Sequence, residues 1–202
     1  MPTELTTVCV FCASSPGRDP RLAQEASRFG ALLARRGLTV VTGGGHVGLM
    51  GAVADGALAE GGAVHGVITR ALEEREVAHR GLTSLEVVET MHERKAAMSG
   101  RADAFVMLPG GFGTLDEFFE ALTWTQLGIH AKPCGVLDVA GYFEPLVDFV
   151  ARAADLGLVR PEHRDLVVCD PDPSALLDRL ARWEPVTTDT WLERGARPAD
   201  ES

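Results

Sequence analysis

Seven short apolar runs recur along the chain, and segments with helical periodicity separate them. The runs occupy residues 8–12, 38–42, 63–69, 85–88, 104–108, 134–139 and 166–169. They are continuously apolar and rich in β-branched residues, which indicates strands that are buried on both faces. The helical segments cover residues 19–36, 48–61, 91–102, 114–129, 142–157 and 173–183, and Gly37, Gly62 and Gly157 are the expected C-terminal stops. This alternation predicts an α/β fold, namely a Rossmann-like, doubly wound, mostly parallel sheet of about seven strands with helices on both faces.

The length of the chain limits the number of domains. With 202 residues, the chain can bury one sizeable core but hardly two. We therefore predict a single Rossmann-like domain over residues 1–183. The segment 184–202 is polar and contains two prolines, so we predict a C-terminal tail there. Residues 70–84 show no clear periodicity.

The charge balance bears on the class of ligand. The net charge is −10 and the isoelectric point is about 5.0. An acidic chain is poorly suited to nucleic acid or to an anionic membrane surface, because both require a basic footprint. The N-terminus has no basic region before an apolar core, and the apolar region 40–68 is interrupted by Asp55, Glu60 and many glycines. We expect a cytoplasmic protein that binds a small molecule.

The four cysteines do not form a pattern typical of a disulfide framework. Cys134 and Cys169 each lie alone in or beside an apolar run, whereas Cys9 and Cys12 form a C-x-x-C. A three-residue offset within a strand directs two side chains to opposite faces of a sheet. We predict four buried, reduced thiols.

Three predicted strands end in turns of small residues, at positions 13–17, 43–48 and 109–114. In a parallel sheet, these turns all lie at the carboxyl edge, where ligands bind. The middle turn, Gly43-x-Gly45-x-x-Gly48, matches the dinucleotide fingerprint of an oxidoreductase. However, it follows the second strand, and no acidic residue follows about twenty positions later to hold a ribose. Close packing of a helix on a strand explains these glycines equally well.

The third turn has the features of a phosphate site. Gly110, Gly111 and Gly113 can direct backbone N–H groups to one point, and a helix that begins at Thr114 would add its positive dipole end. Glu117 then has two interpretations. It can complete a capping box with Thr114, or it can face a ligand that occupies the helix N-terminus.

The helix predicted over residues 91–102 begins at the same edge. Offsets of three, four and seven place Met91, Arg94, Lys95 and Met98 along one face of this helix. The two cations are either an exposed pair whose stems cross apolar neighbours or groups that face an anionic ligand.

Three motifs carry a family resemblance: Gly43-Gly44-Gly45-x-x-Gly48-Leu49-Met50-Gly51, Met91-His92-x-Arg94-Lys95-x-x-Met98 and Pro109-Gly110-Gly111-x-Gly113-Thr114-x-x-Glu117. Together they resemble the Lonely Guy family of cytokinin-activating phosphoribohydrolases, whose members were long mislabelled lysine decarboxylases. The likeness covers most of the chain, from about residue 8 to residue 183. It implies hydrolysis of the N-glycosidic bond of an adenosine 5′-monophosphate, with or without an N6 substituent. The products would be a free adenine-type base, a cytokinin, and ribose 5-phosphate.

Residue-by-residue matching to the family implies that Arg94 and Glu117 are the catalytic pair. The resemblance also implies a homodimer or larger homo-oligomer with sites near a subunit interface, and no metal or redox cofactor. The matched positions and the loops together give the expected substrate-binding residues. These are Ser15, Gly44, Gly45, Glu76, Met91, Lys95, Gly110, Gly111, Phe112, Gly113, Thr114, Leu115, Asp116 and Thr123.

The implied chemistry agrees with these residue types. Cleavage of a ribosyl–base bond builds positive charge on the sugar ring, which a carboxylate such as Glu117 stabilises. Arg94 can hold the base or the sugar hydroxyls, but its high pKa makes it a poor proton donor.

Two other functions remain to be compared with this one. Decarboxylation of lysine normally uses a lysine Schiff base with pyridoxal phosphate, and the only lysines here are Lys95 and Lys132. A non-catalytic nucleotide or cofactor carrier of the same fold would keep the glycine loops but would not need both Arg94 and Glu117.

Overall fold

The structure, a computed structural model, describes residues 5–75 and 77–185. Its centre is a seven-stranded sheet. The strands are β1 (Thr7–Phe11), β2 (Thr39–Thr42), β3 (Val64–Thr69), β4 (Ser84–Val88), β5 (Ala104–Met107), β6 (Cys134–Leu137) and β7 (Val167–Asp170). Their order is β4-β3-β2-β1-β5-β6-β7, and every pairing is parallel. The predicted fold class is therefore confirmed.

Helices connect successive strands and cover both faces. They are α1 (Pro20–Arg35), α2 (Gly48–Ala59), α3 (Arg70–Glu73), α4 (Met91–Arg101), α5 (Phe112–Gln126), α6 (Glu144–Asp155), α7 (Pro161–Arg164) and α8 (Pro173–Ala181), with a 3₁₀ turn at Val139–Gly141. The six longer helices were predicted. The four-residue helices α3 and α7 were not, because one turn is too short to show a period of 3.6 residues. None of the helices in the described residues is long and apolar enough to cross a membrane.

Two apolar clusters lie on opposite sides of the sheet. One packs side chains of α1, α2 and α8, such as Phe29, Val53 and Leu176, against the strands. The other contains Met98 of α4 and Phe118 of α5. Each side of the sheet is therefore buried, as the continuous apolar runs require.

The cysteines follow the predicted arrangement in most respects. All four are free, and Cys9 and Cys12 belong to the clusters on opposite sides of the sheet. Cys134 is buried, but Cys169 is only partly buried, so the prediction of a buried thiol is wrong for Cys169.

The helix α2 ends at Ala59, two residues before the predicted end, and the glycine stop lies one residue earlier than predicted. Gly61, with φ of 73°, follows the helix in the left-handed region that favours glycine, whereas Gly62 does not. Gly62 instead lies against α1, where a Cβ would come within 2.5 Å of the Ala34 Cβ. The glycine stops at Gly37 and Gly157 have the expected positive φ. The predicted tail concerns residues 184–202, of which 186–202 lie outside the described residues, so it stays a prediction.

The order of the strands indicates where a ligand site is expected on the sheet. From β1 the chain runs outward through β2 and β3 to β4, and then α4 returns it to β5 on the other side of β1. Loops that leave adjacent strands in opposite directions open a crevice between them. The carboxyl ends of β1 and β5 are therefore the expected location of a ligand site.

Candidate active site

A cleft of about 630 Å³ opens at this carboxyl edge. All three small-residue turns contribute to it, together with α4, α5 and the segment after β3. The lining residues are Cys12, Ala13, Ser14, Ser15, Gly43, Gly45, Val47, Met50, Ile68, Leu72, Val77, Met91, Arg94, Gly111, Phe112, Gly113, Thr114, Asp116 and Glu117.

Arg94 and Glu117 form a buried ion pair that lines this cleft. Arg94 Nη1 donates to Glu117 Oε1 over 2.6 Å, and the two residues are only 4% and 8% exposed. Two further bonds run from Arg94 Nε to the Val67 carbonyl at 2.9 Å and from Nη2 to the Gly43 carbonyl at 3.2 Å. These bonds use three of the five N–H groups of the guanidinium. The interpretation of Arg94 as part of an exposed basic pair is therefore wrong.

Burial also changes the acidity of Glu117. Removal from water disfavours the carboxylate and raises the pKa of Glu117 above its ordinary value, although the charge and the hydrogen bond of Arg94 oppose this shift. The neighbouring Asp116 adds to the increase. Glu117 is thus an acid whose ionised form depends on its arginine partner.

The N-terminus of α5 differs from the prediction. The helix begins at Phe112 and not at Thr114, and its N-cap is Gly111, which offers no side chain for capping. Thr114 and Glu117 therefore do not form a capping box, and that interpretation of Glu117 is wrong. The local pattern was misleading because Glu117 binds a partner 23 residues away. A capping box does occur at Thr90 and Glu93, where α4 begins.

The glycine turn after β2 is required by close contacts. A Cβ on Gly43 would lie 1.8 Å from Arg94 Nη2, and one on Gly48 would lie 2.3 Å from the Ser14 carbonyl carbon. Gly44 and Gly48 also have φ of 76° and 66°. These glycines let Arg94 reach the loop and let α2 approach the turn after β1, which is a packing role at the edge of the cleft.

A short strap, defined as residues 77–79, crosses the same glycine turn. Ala78 forms an antiparallel bridge with Gly45, and the His79 N–H donates to the Gly44 carbonyl over 2.8 Å. His79 Nδ1 accepts from the Gly81 N–H, so Nε2 carries the proton that is donated to Asp55 over 3.0 Å. The strap carries Val77 into the lining of the cleft.

The structure brings most of the predicted site residues together. Those that line the cleft are Ser15, Gly45, Met91, Arg94, Gly111, Phe112, Gly113, Thr114, Asp116 and Glu117. Gly44, Gly110 and Leu115 are chain neighbours of lining residues without lining the cleft themselves. Glu76 lies outside the described residues.

Lys95 and Thr123 are directed elsewhere. Lys95 Nζ lies 3.2 Å from Asp116 and 3.1 Å from Glu120. Partial burial lowers the pKa of Lys95, but these two carboxylates more than compensate and raise it. The Thr123 hydroxyl donates to the Phe119 carbonyl on the exposed side of α5. Within the described part of this chain, neither residue lines the cleft.

The sequence reasoning missed the apolar lining. Val47, Met50, Ile68, Leu72 and Val77 contribute side chains to the cleft. Ile68 and Met50 look like ordinary core residues, and Leu72 and Val77 lie in the segment without periodicity. For Val47 and Ile68 the available signal was position alone, since Val47 lies in a predicted turn and Ile68 near the carboxyl end of a predicted strand.

Comparison with known proteins extends these observations. The model of a family described as possible lysine decarboxylase matches residues 50–180. A cytokinin riboside 5′-monophosphate phosphoribohydrolase of Rhodococcoides fascians is 47% identical over 167 residues, which cover 82% of this chain and 84% of that protein. One of Arabidopsis thaliana is 43% identical over 178 residues, which cover 88% and 82%.

Solved structures extend the comparison to the fold. The Moco carrier protein of Chlamydomonas reinhardtii has a TM-score of 0.67 at 20% identity, and the alignment covers 89% of this chain and 99% of that one. This likeness concerns the fold alone. The match of the family model and the identity to the phosphoribohydrolases over most of their length show that the chain belongs to the Lonely Guy family, whose model is the one described as possible lysine decarboxylase.

Proposed function

We propose that this chain is an N-glycosidase that hydrolyses adenosine 5′-monophosphates, with or without an N6 substituent, to the free base and ribose 5-phosphate. The observation that carries the proposal is the buried pair of Arg94 and Glu117 in the lining of the cleft. Membership in a family with phosphoribohydrolases supports it, because the closely similar relatives carry that name. The reaction adds water across the bond between C1′ of the ribose and a nitrogen of the base.

The 5′-phosphate would bind at the N-terminus of α5. The first N–H groups of a helix have no intrahelical acceptor, and those of Gly111, Phe112, Gly113 and Thr114 belong to residues that line the cleft. The positive end of the helix dipole adds to the attraction. A Cβ on Gly111 or Gly113 would meet nothing within 4 Å, so there is open space beside this end of the helix.

Glu117 would act on the ribose. It lies on the second turn of α5, one turn beyond the N–H groups that would bind the phosphate. One ligand could therefore contact both the anion site and the carboxylate. As the bond to the base lengthens, positive charge grows on C1′ and the ring oxygen. A fixed carboxylate in a site of low polarity stabilises that charge and orients the attacking water.

Arg94 would serve chiefly to hold Glu117 ionised and in place. Its bonds to the carbonyls of Val67 and Gly43 fix the guanidinium against the sheet, so the carboxylate is held from a rigid base. Two of its five N–H groups remain for a sugar hydroxyl or the base. Because a guanidinium does not give up a proton near neutral pH, the base would leave with a proton taken from water.

The apolar lining would receive the base. Val47, Leu72, Val77 and Met91 surround part of the cleft with hydrocarbon surface, which suits a flat purine better than a second charged group. This arrangement accommodates adenine and leaves the preference between plain and N6-substituted nucleotides to experiment.

The lysine decarboxylase description is less compatible with the site. A Schiff-base lysine needs a lowered pKa, whereas the pKa of Lys95 is raised by its two carboxylate partners. Lys132 donates to the Ser99 carbonyl over 2.7 Å and precedes β6, so it lies at the amino edge of the sheet, opposite the cleft. Of the residues described around the cleft, none is a lysine.

We further propose that the protein is a cytoplasmic homo-oligomer, at least a dimer. Large apolar side chains are exposed on the described surface after the end of α5, on α6 and after its end, among them Ile129, Phe149 and Leu158. Isolated monomers rarely leave several such side chains in one region without a partner. Sedimentation of the purified protein would give the assembly state, and a monomer at micromolar concentration would contradict this part of the proposal.

The function is tested by product analysis. The purified chain is incubated with adenosine monophosphate and with N6-isopentenyladenosine monophosphate, and free base and ribose 5-phosphate are separated by chromatography. We expect equal amounts of both products from at least one substrate and no release from the matching nucleoside. Tight binding of the nucleotide without release of base would instead favour a carrier.

A further inference from the structure

The hydroxyl of Tyr142 reaches back to the glycine-rich turn after β5. Tyr142 is the single tyrosine of the chain and follows β6 at the carboxyl edge of the sheet. Its hydroxyl donates to the Gly110 carbonyl over 2.7 Å, across 32 positions of sequence. The residue is 48% exposed, yet its polar atom is used for one backbone carbonyl of a loop next to the cleft.

The local backbone holds this ring in position. Ala140 and Gly141 have φ of 57° and 73°, and such a turn is unfavourable for alanine. The turn directs the chain so that the Tyr142 ring packs edge-on against Phe143, with ring centroids 4.9 Å apart. Phe143 is buried, and its N–H donates to Asp138 over 2.7 Å. The hydroxyl therefore extends from an anchored base.

The bond to Gly110 controls the orientation of one peptide group. A peptide is planar and trans, so the carbonyl of Gly110 and the N–H of Gly111 point in opposite directions. Between two glycines this plane can rotate easily, because no Cβ restricts either side. Gly111 lines the cleft, whereas Gly110 and Tyr142 do not, so we infer that a Gly110 carbonyl held by Tyr142 leaves the N–H of Gly111 on the side of the cleft.

The neighbouring carbonyls are engaged as well. Pro109 accepts from the Ala13 N–H over 3.1 Å, and Gly111 accepts from the Leu115 N–H over 3.0 Å. The Gly110 carbonyl is thus the one in this turn that depends on a side chain for its direction. If this peptide flipped, an oxygen with partial negative charge would replace an N–H donor at the anion site.

We propose that Tyr142 is a positioning residue that prevents the Gly110–Gly111 peptide from flipping and so keeps the turn in its phosphate-binding form. The proposal rests on the proposed function, in which this turn holds the 5′-phosphate. Tyr142 acts through Gly110 and does not touch the substrate.

The test compares the wild-type chain with Tyr142→Phe, which removes only the hydroxyl. Ser84→Ala is the matched control, because it removes a hydroxyl that contacts His65 at the amino end of β4, away from the cleft. Calorimetry measures binding of ribose 5-phosphate and adenosine to each protein, and adenosine monophosphate is followed by its kinetics because the enzyme consumes it. Amide hydrogen exchange follows the N–H groups of residues 110–114, and steady-state kinetics separates KM from kcat.

For Tyr142→Phe we expect the dissociation constant of ribose 5-phosphate and the KM of adenosine monophosphate to rise about fivefold to tenfold, as the loss of one ordering hydrogen bond typically produces. The dissociation constant of adenosine and kcat should stay within about twofold of the wild-type values, because a twofold change corresponds to less than half the free energy of such a bond. Exchange at residues 110–114 should accelerate. Ser84→Ala should match the wild type.

Unchanged binding of ribose 5-phosphate in Tyr142→Phe, or equal weakening for adenosine and ribose 5-phosphate, would overturn the role of Tyr142 while leaving the proposed function intact. A wild-type chain that binds neither phosphate compound would overturn both proposals. Thermal unfolding of each variant shows whether a change in binding reflects a change in folding.

Discussion

Replacement of Glu117 by glutamine separates a catalytic carboxylate from one that only neutralises Arg94. The amide oxygen of glutamine can still accept the 2.6 Å bond from Nη1, so the geometry of the guanidinium is preserved. The loss is the negative charge. Removing one partner of a buried pair outright costs about 3–5 kcal/mol, and an isosteric amide that keeps the hydrogen bond should cost less, roughly 1–3 kcal/mol.

The rate should respond more strongly than the stability. If Glu117 faces the positive charge on the ribose, loss of its own charge should lower kcat by about a hundredfold or more, which corresponds to roughly 3 kcal/mol of transition-state stabilisation. The assay is release of base from saturating adenosine monophosphate, with unfolding followed in parallel. Glu25→Gln is the control, because the half-buried Glu25 pairs with Arg28 on α1 and does not line the cleft, and it should retain wild-type activity.

Two results would refute this reasoning. A folded Glu117→Gln enzyme with kcat within about threefold of the wild type would remove the carboxylate from the chemistry, because less than 1 kcal/mol of barrier would depend on it. If the variant has a low kcat only because part of it is unfolded, and kcat per folded molecule equals that of the wild type, then Glu117 is a structural counter-ion.

Three further predictions concern stability and binding. Gly56→Ala should destabilise the fold by several kcal/mol, because its Cβ would meet the Ser27 carbonyl oxygen at 2.0 Å. Gly100→Ala has open space around the new Cβ and should stabilise the fold by about 0.5–1 kcal/mol. Denaturant unfolding measures both changes. His79→Ala should raise KM more than it lowers kcat, because it releases the strap that carries part of the cleft wall; equal effects on both would argue against this. Burial lowers the pKa of His130 below 6.5, so the unfolded chain binds the extra proton. The corresponding stability should be complete above pH 6.5 and fall as the pH decreases through the folded pKa, and His130→Gln should flatten that slope.

The fold was predictable from sequence because its signals are repeated. Seven apolar runs alternate with six segments of helical periodicity, and this repeated alternation indicates a parallel sheet. The position of the carboxyl edge then follows from the parallel topology. The start of α5 was not predictable, since Thr114 and Glu117 satisfy a local capping pattern that a distant arginine overrides. Such a conflict between local and tertiary preference is expected at a functional site.

The composition of the cleft was predictable only where backbone forms it. The glycine turns are recognisable from their residue types, and the motif around Arg94 indicated a charged group near them. Leu72 and Val77 lie in a segment with a single four-residue helix, so no periodicity places their side chains. The partners of Lys95 depend on the distance between α4 and α5, which no local pattern encodes.

The three bonds of Arg94 have a consequence for how the substrate range of such an enzyme can change. One side chain joins the end of β3, the turn after β2 and the helix that carries Glu117, so none of these can move without disturbing the other two. This half of the cleft is a fixed frame. Leu72 and Val77 also line the cleft, but none of the three Arg94 bonds involves them, so their replacement leaves that frame untouched. New preferences for the base should therefore arise by exchange of side chains such as Leu72 and Val77, and a designer who seeks a different nucleotide would begin there.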